Sequence, residues 1–420
     1  MIPFSFVHTA DLHLDSPFSS ISQNAPEVAG VMRDATLHAF ESVIRLCLRK
    51  KVDFLLVAGD VYDGADRNLR AQVRFRDGLV RLHEAGICSF IVHGNHDPLE
   101  GWSSSLEWPP SVHIFGDQVE TAGARKGDAL LARVQGISYA KREERRNLSL
   151  LFGRKDATFH IGLLHANVGQ DTGHEAYAPC SLDDLRRAGM DYWALGHVHR
   201  ARILAEGPPT VVYPGNTQGR SVREAGRRGC YLVRVSEDRH VDLEFHGTEA
   251  VGWAFREVSI RDLRTEQDLL DTLEGTCRDL AGEASGRPVM ARIHLTGSGP
   301  LYGSLQNQGQ VSDLLKILRE KGLSGSPVVW VEQVRIGVTP ERDVKVLMEA
   351  NDFVGELLRV SREHLGEEDL AGLLDEDLNS LFEDPRARRF LVRPDAEGLK
   401  ALLMKAEGIC VDHLAGGGDE

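Results

Sequence analysis

The chain has no apolar run approaching the roughly 18 residues that a membrane span needs, and it shows no internal repeat or low-complexity tract. These absences exclude a helical membrane protein and a solenoid. Its six cysteines (Cys47, Cys88, Cys180, Cys230, Cys277 and Cys410) include no C-x-x-C pair, which argues against a thiolate metal site and against a disulfide scaffold. The first residues lack a basic n-region, and their apolar stretch is soon interrupted by Asp11 and His13, so no secretory signal is expected. A reducing cytoplasm is the expected compartment. Positive charge is also scarce: 49 basic against 63 acidic side chains leave a net charge of −14, opposite in sign to the footprint of a stand-alone nucleic-acid binder. A polyanionic substrate would therefore have to be attracted by bound cations or a basic partner.

What is present is an ordinary globular composition, 42% hydrophobic and 27% charged over 420 residues, enough for two or three domains with a sizeable core. The first 100 residues alternate between buried strands and amphipathic helices. A strand from Phe4 leads to a helix with Leu37, Phe40, Ile44 and Leu48 on one face. The run "VDFLLVAGD" reads as a fully buried strand, and a helix carrying Phe75, Leu79 and Leu82 precedes "CSFIVHGNHD". This β-α-β-α-β pattern implies parallel strands with right-handed crossovers. Further strands are expected at 112–115, 130–137, 159–164, 192–195, 210–213, 230–235 and 241–245. Because the later ones follow without long helices, the expected fold class is α/β (α+β): a two-layer β-sandwich core flanked by helices. The expected domains are this core over 1–250, a small α+β capping unit over 251–340 with a helix at 266–283, and a helical region over 341–420. In that last region Leu370, Leu373, Leu374, Leu378, Leu381 and Phe382 form an apolar stripe, read as core packing or partner docking. The "GGGDE" tail is expected to fray.

Five polar clusters fall at strand ends: Asp11 with His13, Gly59-Asp60, Gly94-Asn95-His96-Asp97, His165, and His197 with His199. Any one of them alone is an ordinary loop. The set is different, since ligands of open α/β sheets gather at the carboxyl edge. Seven of these side chains are oxygen or imidazole donors, enough for two divalent cations if one carboxylate bridges. Asp60, behind a buried strand and a glycine, is best placed to do so. Asn95 binds through its carbonyl oxygen without adding charge, which leaves the site cationic enough for a phosphate. His197 and His199 lie two apart, a spacing that in an irregular loop lets them approach different ions. The lack of cysteine leaves Mn²⁺, Fe²⁺ or Zn²⁺ as candidates. Two cations about 3.5–4 Å apart lower the pKa of a shared water and clamp both ends of an in-line displacement at phosphorus. His96 is surplus to the metal count and free to face the substrate, with Asp97 expected to fix its tautomer.

The order D-x-H, G-D, G-N-H-D, H and G-H-x-H, found here as Asp11-Leu12-His13, Gly59-Asp60, Gly94 to Asp97, His165 and Gly196 to His199, resembles the calcineurin-like metallophosphoesterases. The resemblance implies that Asp11, His13, Asp60 and His199 hold one metal, that Asp60, Asn95, His165 and His197 hold the other, and that His96 meets the substrate. More narrowly, "HTADLHLDSPF", "GDVYD" and "YPGNTQGRSVRE" are similar to the SbcD/YhaO branch over about residues 1–250. That branch implies a Mn²⁺-dependent DNA exonuclease or endonuclease, a capping domain, C-terminal helices that dock on a coiled-coil ATPase of the SbcC or YhaN kind, and a homodimer formed through core helices. One departure is Asp63, where archaeal and eukaryotic relatives carry a histidine with a strand-opening role.

Two arginine-rich stretches flank the presumed site loops: Lys141, Arg142, Arg145 and Arg146, and Arg220, Arg223, Arg227 and Arg228. They are candidates for tracking phosphates, Arg220 and Arg223 foremost. Asn216, in a strand-exit turn, and Asp63 are candidate substrate contacts, and His174 is placed near the site by its position after His165. The expected function is hydrolysis of DNA phosphodiesters as the nuclease subunit of an ATPase-driven repair complex. Two rivals stand beside it: a hydrolase of small phosphodiesters or nucleotides, and a non-catalytic adaptor for the ATPase. The roughly 170 residues beyond the core disfavour the first rival. The complete donor set disfavours the second.

Overall fold

The computed structural model describes residues 1–16, 28, 30, 32, 34–64, 68–101, 106–169, 177–341, 344–366, 370, 372 and 394–415. Fifteen strands among them fall into three sheets. The first sheet contains β1 (Phe4–Thr9), β2 (Phe54–Ala58), β3 (Cys88–Val92), β4 (Val112–Ile114), β11 (Gly229–Val235) and β12 (Val241–Gly247), in the order β12-β11-β1-β2-β3-β4. The second contains β5 (Glu120–Lys126), β6 (Ala129–Ile137), β7 (Phe159–His165), β8 (Tyr192–Gly196), β9 (Arg202–Ala205) and β10 (Thr210–Tyr213), in the order β5-β6-β7-β8-β10-β9. Strands β1 to β4 run parallel, as do β6, β7, β8 and β10. The antiparallel strands sit on the flanks.

Strand β2 shows why these runs carry no polar alternation. Phe54, Leu56 and Ala58 point between the two sheets, while Leu55 and Val57 pack with Phe40, Ile44, Phe75 and Leu79 of the helices Ala35–Lys50 and Leu69–Glu84. Both faces are covered, so both need apolar side chains. Strand β8 repeats the logic. Tyr192 and Ala194 face inward, whereas Trp193 and Leu195 pack outward with Leu185 of the short helix Leu182–Arg187. Between the sheets Phe6 stacks on Phe54 with ring centroids 4.9 Å apart and 9° between planes. Burial of each such ring contributes roughly 1.5–3 kcal/mol. The expected sandwich is the one observed. Two edge strands, β5 and β9, were not anticipated: "ETAGARK" and "RILA" are largely solvent-facing, so core burial leaves little hydrophobic signal in them.

The third sheet orders β13 (Gly252–Ser259), β14 (Val289–Gly299) and β15 (Val329–Pro340), with helices Glu266–Glu283 and Gln308–Leu323 between its strands. The chain divides into two compact units: Met1–Arg256 with Gly275–Arg292 and Ile317–Gln333, and Glu257–Glu274 with Ile293–Lys316 and Val334–Glu420. Within the second unit, helices Phe353–Gly366 and Ala396–Ala415 are joined by Val354, Leu358 and Val411, and by Glu407, which accepts from Ser361 and Arg362 at 2.7 Å each. Of the expected apolar stripe only Leu370 is described, and it is buried. Leu373, Leu374, Leu378, Leu381, Phe382, His174 and the "GGGDE" tail lie outside the described residues. Among the described residues no helix is long and apolar enough to cross a membrane, and none of the six cysteines forms a disulfide.

His8 is fully buried in the sandwich, with Nδ1 2.9 Å from the Tyr192 hydroxyl. Burial pushes its pKa down from 6.5 to about 3, so the folded protein holds it neutral while the unfolded chain takes up a proton first as pH falls. Its contribution to stability is complete above pH 6.5 and is lost as pH falls from there toward 3. Urea unfolding of a His8→Asn variant should therefore show a flatter pH dependence over this range, by up to about 1.4 kcal/mol per pH unit. A slope equal to that of the unmodified chain would contradict this placement.

Candidate metal centre

The five polar clusters all leave the carboxyl ends of parallel strands: Asp11 and His13 after β1, Asp60 after β2, Asn95 to Asp97 after β3, His165 as the last residue of β7, and His197 and His199 after β8. Beyond the last β1–β2 pair the backbones keep bonding, Asp11 N–H to the Gly59 carbonyl at 3.0 Å and His13 N–H to that of Asp60 at 3.1 Å. Four of these residues take left-handed backbone conformations: Asp11 (φ 51°), His13 (φ 43°), Asp60 (φ 50°) and His197 (φ 100°). Each such conformation costs on the order of 1–3 kcal/mol in a residue with a side chain, and such strain clusters at functional sites. Two glycines make the packing possible. A side chain on Gly59 (φ 92°) would enter the His165 ring, and one on Gly94 would strike the Asp60 carboxylate.

The seven donors meet in one buried place. Asp60 Oδ2 lies 3.4 Å from His165 Nε2 and 3.9 Å from His13 Nε2, within reach of donors on both sides of the centre. His13 Nε2 and His199 Nε2 are 3.2 Å apart. The carbonyl oxygen of Asn95 is 3.0 Å from His165 Nε2 and 3.2 Å from His197 Nδ1. Asp11 accepts from the His197 backbone N–H at 3.0 Å and lies 3.9 Å from His165 Nδ1. Ligand atoms of Asp11, His13 and His199 fall within 4.8 Å of one another, as do those of Asp11, Asp60 and His165.

The outer nitrogens decide what the inner ones can do. His165 Nδ1 lies 2.9 Å from the Ala58 carbonyl, His13 Nδ1 2.9 Å from Asp63 Oδ1, and His199 Nδ1 2.7 Å from Glu224 Oε1. The Ala58 carbonyl and the Glu224 carboxylate only accept, so in the neutral rings of His165 and His199 the proton sits on Nδ1 and the Nε2 lone pair faces the centre. Lone pairs and carboxylates aimed at one another from 3–4 Å fit divalent cations between them. Burial raises the carboxyl of Asp60 to about pKa 7, opposed in part by His96, and holds that of Asp11 well above its ordinary value with help from Asp60. Burial lowers His165 to about 4 and pushes His13 well below its ordinary value.

The remaining sequence candidates divide. His96 is at the mouth, its side chain 30% exposed. Its N–H donates to Asp60 Oδ1 at 3.0 Å, and its Nδ1 is 3.1 Å from the Asp63 carbonyl oxygen. The residue holding that ring is thus Asp63, whereas Asp97, expected in this role, accepts from His93 Nδ1, Gly94 N–H and Val61 N–H at 2.8–2.9 Å and fixes the loop. Asn216, expected at the substrate, is fully buried; its amide donates to Glu224 at 2.8 Å and accepts from Arg228. Arg228 is likewise buried and donates to the carbonyls of Glu224, Ala225 and His199, so it braces the site and cannot line a groove. Arg220 pairs with Asp63. Arg223, Lys141 and Arg142 are exposed, while Arg145 and Arg146 pair with Glu143 and Glu144. Glu224 is the supporting residue that motif reading missed. It stood inside "SVRE" as the one acid among arginines, and burial, which works against its charge, is outweighed by His199 and Arg220.

Residues 4–201 match the calcineurin-like phosphoesterase family, and residues 253–339 match the middle domain of metallophosphoesterase YhaO. The chain is 34% identical over 412 residues to a Bacillus subtilis (strain 168) protein described as an uncharacterized metallophosphoesterase YhaO, with 98% of each chain covered. The chain belongs to the YhaO-type calcineurin-like metallophosphoesterases. This metallophosphoesterase is also 30% identical over 249 residues to the DNA double-strand break repair protein Mre11 of Aeropyrum pernix, covering 55% of this chain and 58% of that protein. With the Mre11 of Haloferax volcanii the identity is 26% over 367 residues, 81% of this chain and 79% of the relative.

Asp60→Ala should abolish divalent-metal binding by the purified metallophosphoesterase, as read by elemental analysis after dialysis. Retention of two ions would remove Asp60 from the bridge. Because the Asp60 carboxyl takes a proton near pH 7, affinity for Mn²⁺ measured by calorimetry should weaken as pH falls below about 7, and a flat profile would contradict this assignment.

Proposed function

We propose that this metallophosphoesterase is a dinuclear, Mn²⁺-dependent nuclease that hydrolyses DNA phosphodiester bonds. The observation that carries the reading is the convergence of seven oxygen and imidazole donors on one buried space. A pair of divalent ions there would activate water and neutralise a phosphate. The protein contributes the geometry and one further group. His96 holds its Nδ1 proton against the Asp63 carbonyl, which leaves Nε2 for a non-bridging or leaving oxygen of the substrate. Placed at the mouth, it is suited to general-acid or electrostatic work.

DNA is favoured over a small phosphodiester by the similarity to double-strand break repair proteins and by the sheet-and-helix segment after residue 250, which a small substrate does not need. Exposed Lys141, Arg142 and Arg223 are the proposed backbone contacts. The segment carrying the first two follows Tyr139, whose hydroxyl donates to the His165 carbonyl at 2.8 Å. The proposed setting is cytoplasmic, as a homodimer beside a coiled-coil ATPase of the SbcC/YhaN kind.

Incubation of the purified chain with end-labelled linear DNA should give Mn²⁺-dependent, EDTA-sensitive cleavage. His96→Ala should keep both metals and lose about 10²–10⁴-fold in turnover. Hydrolysis of small diesters with no cleavage of DNA would favour the rival hydrolase, and intact DNA and diesters under all conditions would favour the adaptor.

A further inference from the structure

Arg220, read from the sequence as a DNA contact, is spent elsewhere. Its guanidinium bonds the Asp63 carboxylate and lies 3.9 Å from Glu224 Oε1, and its backbone N–H donates to Glu224 Oε2 at 2.8 Å. Those two carboxylates orient His13 and His199 through contacts of 2.9 and 2.7 Å. The inner nitrogens of these histidines then meet at 3.2 Å, so five side chains form a closed ring: His13, Asp63, Arg220, Glu224, His199. The ring draws on four separate segments, those following β1, β2 and β8 and the one joining β10 to β11. No pair of its members is adjacent in sequence.

The ring encloses one side of the centre only. His13 and His199 sit with Asp11 in one group of converging ligand atoms, whereas His165, by contrast, is oriented by the Ala58 carbonyl and meets Asn95 and His197. Ligand atoms of His13, Asp63 and His96 also converge within 4.8 Å, but the guanidinium on Asp63 already supplies the positive charge that a third cation would bring. Without Arg220 the two half-buried carboxylates would lose their shared counter-charge, and both imidazoles would lose their fixed orientation.

We propose that Arg220 is a positioning residue for one of the two cations: it locks the carboxylates behind His13 and His199 and thereby makes the Asp11/His13/Asp60/His199 position, but not the Asn95/His165/His197 position, depend on it. The inference rests on the metal-holding reading of the centre. Its experiment is therefore a titration with Mn²⁺ alone, by calorimetry and by electron paramagnetic resonance, which requires no DNA and no turnover.

The unmodified chain should bind two ions and show a spin-coupled signal. Arg220→Ala should keep one ion at near-unchanged affinity, weaken the other about 10–100-fold, and replace the coupled signal with that of isolated Mn²⁺. Arg220→Lys, able to reach one carboxylate at a time, should weaken the same ion by a smaller factor, and it carries the test if the alanine variant does not fold. Two ions bound with undiminished affinity by both variants would overturn the inference alone. An unmodified chain that binds no Mn²⁺ would overturn the metal centre and this inference together.

Discussion

The Nε2 atoms of His13 and His199 approach to 3.2 Å, each ring with an acidic group beside its Nδ1. The buried carboxylates of Asp11 and Asp60 lie beside them, so several groups that favour a positive charge are gathered in one place. Such an arrangement favours a positive charge at its middle. It is explained by a cation, and the surrounding structure is arranged to preserve it. The strands end where the donors begin, four donor residues accept left-handed backbones, and Gly59 and Gly94 remove the side chains that would push His165 and Asp60 away.

The same constraint accounts for the charge of the molecule. An overall charge of −14 repels a polyanion, and the centre adds buried Asp11 and Asp60 with Asp63 and Glu224 behind them. Divalent ions held by these donors would reverse that sign locally and leave the rest of the surface acidic. Under the proposed function the centre would recognise phosphate, and exposed Lys141, Arg142 and Arg223 would meet extended DNA. Arg220 and Arg228 belong to the scaffold beneath the centre.

All seven donors were legible in the sequence because each follows a strand buried on both faces, so that a polar cluster after "FLLVA" or "CSFIV" stands out against an apolar run. The sandwich was legible for the same reason. The exposed edge strands β5 and β9 were not, since a strand that buries little leaves little pattern. The supports were harder still. Glu224 reaches His199 only after the chain between β10 and β11 folds back, which no local spacing records. Asp97 was assigned to the neighbouring His96, yet it bonds His93 four residues earlier, a choice made by the curl of the loop. Asn216 read as a turn-shaping or substrate-contacting residue and Arg228 as part of a solvated or phosphate-tracking run, and both are buried here because Glu224 and the His199 carbonyl require partners.

Diffraction from crystals grown with Mn²⁺, with anomalous differences collected at the manganese edge, would locate the ions themselves. Two peaks roughly 3.5–4 Å apart are expected, one between His13 and His199, the other between Asn95, His165 and His197, with Asp60 touching both. A single peak on the molecular surface, or none within reach of Asp60, would contradict the dinuclear centre.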